Sequence, residues 1–582
     1  MNLRARWLSS GVLAVAVLLI YLIPVVRGRV LTETPEARVG VVAREMLANH
    51  EYLRPTMGGK ERLIKPPLPY WLTALCAKTL SAGGEVTQSV LTRAVLIPPA
   101  LATALAVFLV ALFGQIFFGR AAGIISGLIL GLCALVTYHA EVGYYDATLM
   151  CTCVGVFCGA AWLLCAPEPG LPAALAFGVS LGLGILTKWY VPVALVCLPL
   201  GAEMLLRRRF DRRRVALFVL GFAAAAVVAS PWFILLGCQD ASSLREIVNG
   251  IVISTEPMAH LPTHRWIYYP MKIAAGLMPW SPVLLLGWLV YFLKRGKLPE
   301  KSDGENASWD KGVVRFFALA FVLGFLAFYS QAKQQSYYLL PLYPLAALLS
   351  GYALSRFQKA EGEAERLLGR CLLGLGGVLG LLTMLGPVLL KLVVKSVPET
   401  LSLREFFESY GWPVCIAAAL AAAGLCWHVA GQLRRGRVVR GALALSAPFF
   451  CGLCIWSWCA AAHDREREVL YHEASRIKPL LAAAGPDLRL YGVGPSDALM
   501  VYYIGRPVLS LKDLAAEPQN QTGAQAPRRM LMATPDGLKR GNLSGCFPEV
   551  AAQEQPLYLL ELSPQTDWPK EIQARLSKRV KK

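Results

Sequence analysis

Charge is scarce in this chain, and negative charge scarcest. Only 16% of its 582 residues are charged, with 38 Asp and Glu against 58 Lys and Arg. A soluble protein of this length needs far more polar surface, so a soluble globular class is excluded. With 55% hydrophobic residues and a mean hydropathy of +0.48, the chain reads as a polytopic membrane protein. The formal charge of +20 comes without a helix-turn-helix pattern or stacking aromatics, which argues against a nucleic-acid partner. Cysteines outside apolar surroundings are almost missing. Fourteen of the fifteen lie in or beside apolar runs, leaving only Cys546 in polar sequence, so no disulfide framework is implied. Cys451 and Cys454 form a CxxC inside an apolar helix, yet no second thiol pair or histidine stands in register, so packing explains them. Arg4 and Arg6 precede an apolar run from Leu8 to Val26 that lacks a small-x-small cleavage site, which reads as a retained first transmembrane helix.

What the chain does have is long apolar runs. A helix needs about 20 apolar residues to cross the hydrocarbon core. Thirteen spans are expected, at 8–26, 90–117, 121–138, 147–165, 171–187, 189–206, 215–236, 271–293, 312–329, 336–354, 371–392, 411–432 and 441–461. With the N-terminus inside, the dense basic clusters fall in cytoplasmic loops: Arg207 to Arg209 with Arg212 to Arg214, Lys294-Arg295-Gly296-Lys297, and Arg434, Arg435, Arg437 and Arg440. That orientation puts Glu33, Glu36, Arg38, Lys65, Asp146, Lys188, His264 and Lys333 on the outer side, in loops or at helix ends. Charges at the edge of a span are costly unless they are useful or reach the interface. Blander readings stand beside this one: Lys188 can snorkel to headgroups, Asp146 can serve the helix N-terminus, and Tyr70 and Trp71 suit an interface belt.

The organisation expected is a transmembrane portion, 1–462, with a first external loop at 27–89, followed by a soluble extracytoplasmic α/β domain, 463–582. In that tail a helix is expected at about 464–484, then short strand-like segments at 488–493, 498–504, 507–511 and 557–562. Pro518 to Arg529 reads as an exposed polar loop.

Four segments carry a family resemblance. Glu33-Thr34-Pro35-Glu36-Ala37-Arg38, followed by Ala43-Arg44-Glu45-Met46-Leu47, is similar to an acidic first-loop motif and its "AREM" helix. Lys65 to Trp71 is similar to a KPPLPYW loop, and Gly182 to Lys188 to a "GLAxLTKG" segment. Ser330-Gln331-Ala332-Lys333, with Tyr338 to Pro344, is similar to "SxxKxxxYxLPxxP". Together and in this order they resemble the GT-C class of membrane glycosyltransferases that use polyprenyl-phosphate sugars. The nearest likenesses are the lipid A aminoarabinose transferases and the broader bacterial protein-mannosyltransferase-like group. The chain departs from the pattern where Pro35 takes an Asp position, Val39 a Tyr position, and Ile64 a position where some members carry a metal-binding Glu.

The resemblance implies an α-helical GT-C fold in a bacterial inner membrane, with an active site and C-terminus on the periplasmic side. It implies single displacement with inversion of the sugar. Glu36 or Glu33 is the candidate catalytic carboxylate, and Asp146 the alternative. Arg38, Lys65, Lys188 and Lys333 are candidate partners of the donor phosphate, with Tyr70, Trp71 and Tyr338 in the substrate loops. The acceptor implied is lipid A, with a protein or another glycan as alternatives. The resemblance settles no cofactor. A divalent metal is conceivable at His264, although Pro262 between His260 and His264 disfavours a helical HxxxH. A lipid-linked sugar transporter is the rival reading. No internal repeat supports it, and the polar residues lie at one face rather than at midplane.

Overall fold

A computed structural model describes residues 3–207, 211–240, 265–278, 306–331, 334–356, 469–483, 488–493, 497–505, 508–510, 529–533 and 558–562, with a few short pieces between them. The chain forms two compact units. One comprises Met1–Arg27, Leu63–Leu72 and Leu96–His463; the other comprises Gly28–Arg62, Thr73–Val95 and Asp464–Lys582. Much of the segment expected as an external loop therefore belongs with the tail.

Among the described residues, seven helices are long and apolar enough to cross a membrane: Leu3–Val26, Gln88–Phe118, Asp146–Cys165, Leu171–Lys188, Arg212–Gln239, Trp309–Tyr329 and Ser336–Ser355. Arg120–Gly131 and Ala134–Glu141, bent by 59° at a short break, form an eighth if counted as one span, and Val191–Leu206 is a shorter apolar helix. These coincide with expected spans. The expected spans at 371–392, 411–432 and 441–461, and most of 271–293, lie outside the described residues.

In the first unit, helix Leu171–Lys188 packs between Asp146–Cys165 and Arg212–Gln239. Burial of apolar surface does not drive association in lipid, so close backbone approach has to carry it. A Cβ at Gly178 would lie 2.1 Å from the Gly221 carbonyl oxygen, so only glycine fits there. Helix Asp146–Cys165 ends against an arginine. Arg214 donates to the carbonyls of Leu163, Leu164 and Ala166 at 2.7, 2.8 and 2.8 Å, satisfying groups that a helix C-terminus leaves open. Arg315 forks onto Glu203, whose carboxylate is fully buried, through Nε at 3.1 Å to both oxygens.

In the second unit, a four-stranded sheet has the order Leu509–Ser510, Arg489–Val493, Arg529–Ala533, Tyr558–Leu562. The first three strands are parallel and the last is antiparallel. The helix expected at 464–484 is observed as Val469–Ala483. Two local expectations are corrected. The run at 498–504 is helical, within Asp497–Ile504; a short continuous apolar run reads alike as a buried strand or a buried helix. Arg529, placed at the end of a polar loop, instead opens a central strand and is 2% exposed. Its guanidinium reaches Glu517 at 2.7 and 3.0 Å, and this pairing makes burial of the arginine tolerable.

The "AREM" helix, Thr34–Asn49, packs on Asp497–Ile504. A Cβ at Gly40 would lie 2.4 Å from the Tyr502 ring, so glycine sets that approach. Arg44 donates to the carbonyls of Tyr502 and Val501 at 3.0 and 2.8 Å, capping the C-terminal helix. Glu45 accepts from Thr56 Oγ1 and the Gly58 N–H, both at 2.6 Å, and so holds the small Thr56–Glu61 hairpin.

Glu517 makes this unit acid-sensitive. Burial raises its pKa, but hydrogen bonds from Tyr491, Arg489 and Arg529 outweigh burial and hold it below the usual 4.5. The stabilisation is fully present above the unfolded-state pKa and is lost as pH falls through the lower folded value. Limited proteolysis of the tail in the intact protein should therefore accelerate as pH drops below about 4.5, and Glu517→Gln should flatten that pH dependence.

Candidate active site

The polar centre of the first unit is built from two helix ends. Asp146 is the first residue of helix Asp146–Cys165, and Lys188 is the last of Leu171–Lys188. Each charge stands at the terminus whose dipole favours it. The packing of these two helices brings the two residues together: Lys188 Nζ donates to Asp146 Oδ1 at 2.7 Å, with the residues 8% and 1% exposed. Three tyrosines ring the ammonium, Tyr338 at 4.5 Å and Tyr145 and Tyr337 at 5.7 Å from their centroids. Asp146 Oδ2 is buried and accepts no hydrogen bond among the described residues. A buried carboxylate oxygen in that condition is a ready acceptor for a ligand hydroxyl.

Lys65, half-buried, lies 5.7 Å over the same Tyr145 ring, so both lysines approach one aromatic ring. Its approach is fixed from the residue before it, where the Ile64 carbonyl accepts from Trp189 Nε1 at 2.8 Å. Trp189 follows Lys188 directly and has φ +49° and ψ −125°. Such a backbone costs about 1–3 kcal/mol in a residue with a side chain. The "GLAxLTKG" pattern carries a glycine at this place. Its ring stacks with Trp232 and Phe233, each with centroids 5.7 Å away.

Other expected residues are placed as follows. Tyr70, expected at the membrane interface, is buried at 2% exposure in helix Leu68–Leu80, while Trp71 is half-buried. Glu33, Glu36 and Arg38 belong to the second unit and form their own arrangement. Glu36 is fully buried, and its carboxylate takes Arg29 Nη1 at 2.7 Å and the backbone N–H groups of Thr32 and Glu33 at 3.1 and 3.2 Å. It is the inner member of a capping box that starts helix Thr34–Asn49. Glu33 at the N-cap is half-buried and Arg38 is exposed. Lys333 and His264 lie outside the described residues. Among the described residues, no three His, Cys, Asp or Glu side chains cluster as metal ligands would.

Sequence reasoning passed over Arg29, His139, Tyr145, Trp189 and Tyr337 as site residues. Tyr145 and Tyr337 adjoin Asp146 and Tyr338, and adjacency to a charge in an apolar run was the available signal. His139 is 1% exposed, stands edge-on to Tyr337 at 6.1 Å, and its Nδ1 is buried without a partner.

An apolar cavity of about 420 Å³, lined by Pro270, Ile273, Leu277, Phe321, Val322 and Leu349 among others, lies between helices of this unit. Pro270 adjoins Tyr269, whose hydroxyl accepts from the Gln335 N–H at 3.2 Å, three residues before Tyr338.

This architecture is the GT-C fold of lipid-dependent membrane glycosyltransferases. It matches ArnT from Cupriavidus metallidurans with a TM-score of 0.69 for the form bound to undecaprenyl phosphate and 0.68 for the apo form, at 20% identity over 94% of this chain and 97% of that one. In sequence, the chain is 27% identical over 404 residues to the undecaprenyl phosphate-alpha-4-amino-4-deoxy-L-arabinose arabinosyl transferase of Edwardsiella ictaluri, covering 66% of each chain. It is 27% identical to the same-named protein of Aeromonas salmonicida, covering 62% of each, and 24% identical to a second form from Proteus mirabilis, covering 74% of this chain and 72% of that one. The matches to the first two thus span just under two thirds of the relatives' length. No family model matches the chain.

The buried pair yields a direct test. Removing one partner, as Asp146→Ala or Lys188→Met, should destabilise the protein by about 3–5 kcal/mol because the other charge is left buried. The double variant Asp146→Asn, Lys188→Met should recover most of that loss in thermal unfolding in detergent.

Proposed function

We propose that this integral membrane protein is an inverting glycosyltransferase. It moves a sugar from a polyprenyl-phosphate carrier to an acceptor on the outer face of the inner membrane, and lipid A is the acceptor. The observation that carries this reading is the pairing of two lysines around Tyr145, one of them held by Asp146. This places cationic donors beside a buried carboxylate oxygen that lacks a partner among the described residues. The names of the relatives, and undecaprenyl phosphate in the similar solved structure, support the donor class. The motif resemblance supports the acceptor.

In this reading the bond from the anomeric carbon to the phosphate oxygen breaks, and its electron pair leaves with the carrier phosphate. Lys65 and Lys188 stabilise that charge as point cations, and Arg38 and Lys333 are further candidates. Asp146 Oδ2 accepts a sugar hydroxyl and fixes the ring. The acceptor oxygen attacks from the opposite side and loses its proton to a first-loop carboxylate. The motif resemblance offers Glu33 or Glu36 for that role; the Glu36 oxygens are committed to Arg29 and two backbone N–H groups, and the Glu33 side chain belongs to the same capping box. The apolar cavity beside Tyr269 holds part of the isoprenoid tail.

The outer location draws support from helix Asp146–Cys165, which rises about 30 Å over its length. Asp146 is at one end; Arg214, from the Arg212-Arg213-Arg214 cluster, closes the other. Basic clusters mark the cytoplasmic side.

The deciding measurement is mass spectrometry of lipid A from cells with and without the gene. A gene-dependent pentose- or hexosamine-sized addition is expected. Unchanged lipid A with an accumulating polyprenyl-phosphate sugar would move the acceptor to a protein or another glycan. With purified protein and undecaprenyl-phosphate aminoarabinose, Lys65→Ala should lower kcat/KM by about 100-fold or more, and Glu33→Gln should lower kcat by a similar factor. Unchanged turnover in folded Lys65→Ala would remove the site assignment.

A further inference from the structure

We infer that Trp189 is a positioning residue that sets Lys65 and Lys188 relative to each other. The inference rests on the proposed role of these lysines at the donor phosphate. Three observations carry it. First, Trp189 is bonded in the chain to Lys188, and its left-handed φ of +49° turns the backbone sharply at the end of the helix that delivers the ammonium to Asp146. Second, its indole N–H donates to the carbonyl of Ile64, the residue before Lys65. Third, the ring is 7% exposed and is held on its other side by Trp232 and Phe233.

One side chain therefore touches both arms of the cation pair. Its backbone ends one arm, and its ring tip anchors the other. A strained conformation persists only where its surroundings over-determine it, and the indole hydrogen bond and the aromatic stack supply that determination. The Lys65 arm needs such an anchor. Pro66 and Pro67 follow it and donate no backbone N–H, and Ile64 is 45% exposed, so its side chain has little core to grip. The anchor acts on the backbone before Lys65 and not on the lysine side chain. This is the arrangement expected where preorganisation, rather than an added contact, is what the neighbour contributes.

The test uses the full-length protein in detergent, with hydrogen–deuterium exchange and steady-state kinetics in parallel. Trp189→Phe keeps one aromatic ring in the packing and removes the N–H donor together with part of the indole. Exchange should rise several-fold in the peptide covering 60–68 and stay unchanged in the peptide covering 176–186. KM for the polyprenyl-phosphate sugar should rise about 5- to 10-fold while kcat stays within twofold, as one hydrogen bond's worth of binding predicts. Phe233→Leu, which thins the aromatic packing and spares the hydrogen bond, should move both readouts in the same direction but by less than Trp189→Phe. Trp189→Tyr, also without the indole N–H, replaces the Phe variant if that one does not accumulate as folded protein. Unchanged exchange at 60–68, an equal rise in both peptides, or effects of the same size in Phe233→Leu would overturn the inference. Exchange confined to 60–68 without any transferase activity in the wild type would uphold the anchor and count against the transferase reading alone.

Discussion

A lysine and an aspartate, buried together at the meeting ends of two apolar helices, set the terms for the rest of the membrane unit. Neither charge could be held alone in such surroundings, because the desolvation cost of an isolated ion exceeds what a helix terminus returns. Their 2.7 Å contact therefore depends on the tight packing of Asp146–Cys165 against Leu171–Lys188, and that packing in turn needs glycines where the backbones nearly touch. Tyr145, at the N-cap of one of these helices, and Tyr338, from another segment, close over the ammonium. Neutral as a pair, the couple still keeps one carboxylate oxygen and the remaining ammonium N–H groups to offer.

Motif residues in the second unit divide into those that hold and those that face outward. Glu36 and Arg29 lock the start of helix Thr34–Asn49, Arg44 caps a distant helix, Glu45 grips a hairpin, and Gly40 makes room for Tyr502. Glu33 and Arg38, in the same short stretch, keep some or all of their surface. A run of charges that reads as one catalytic motif thus performs two physical tasks. Burial tells them apart.

The legibility of the chain followed the physics of each region. Apolar runs of about 20 residues are read from composition alone, and the spans from 8–26 to 215–236, with 312–329 and 336–354, were legible for that reason. Asp146 and Lys188 stood out because ionisable residues beside apolar runs are rare. Their pairing was not legible, since it depends on which helices touch. Arg529 was misplaced because a buried arginine is identifiable only once Glu517 is seen beside it. The 498–504 run was ambiguous because continuous apolar sequence suits either backbone. Trp189 was passed over because nothing in its residue type betrays a positive φ.

The bond from Arg44 to Val501 also carries a consequence in time. Its partners are 457 residues apart. At a synthesis rate of about 5–20 residues per second, the acceptor carbonyl emerges roughly 20–90 s after the arginine. Throughout that interval helix Thr34–Asn49 has no cap to make and no Tyr502 to receive at Gly40. The second unit is thus begun by a segment that leaves the ribosome hundreds of residues before the one that completes it. A chain released early would carry its spans and its buried ion pair, yet leave that first helix without the surface it was shaped to meet.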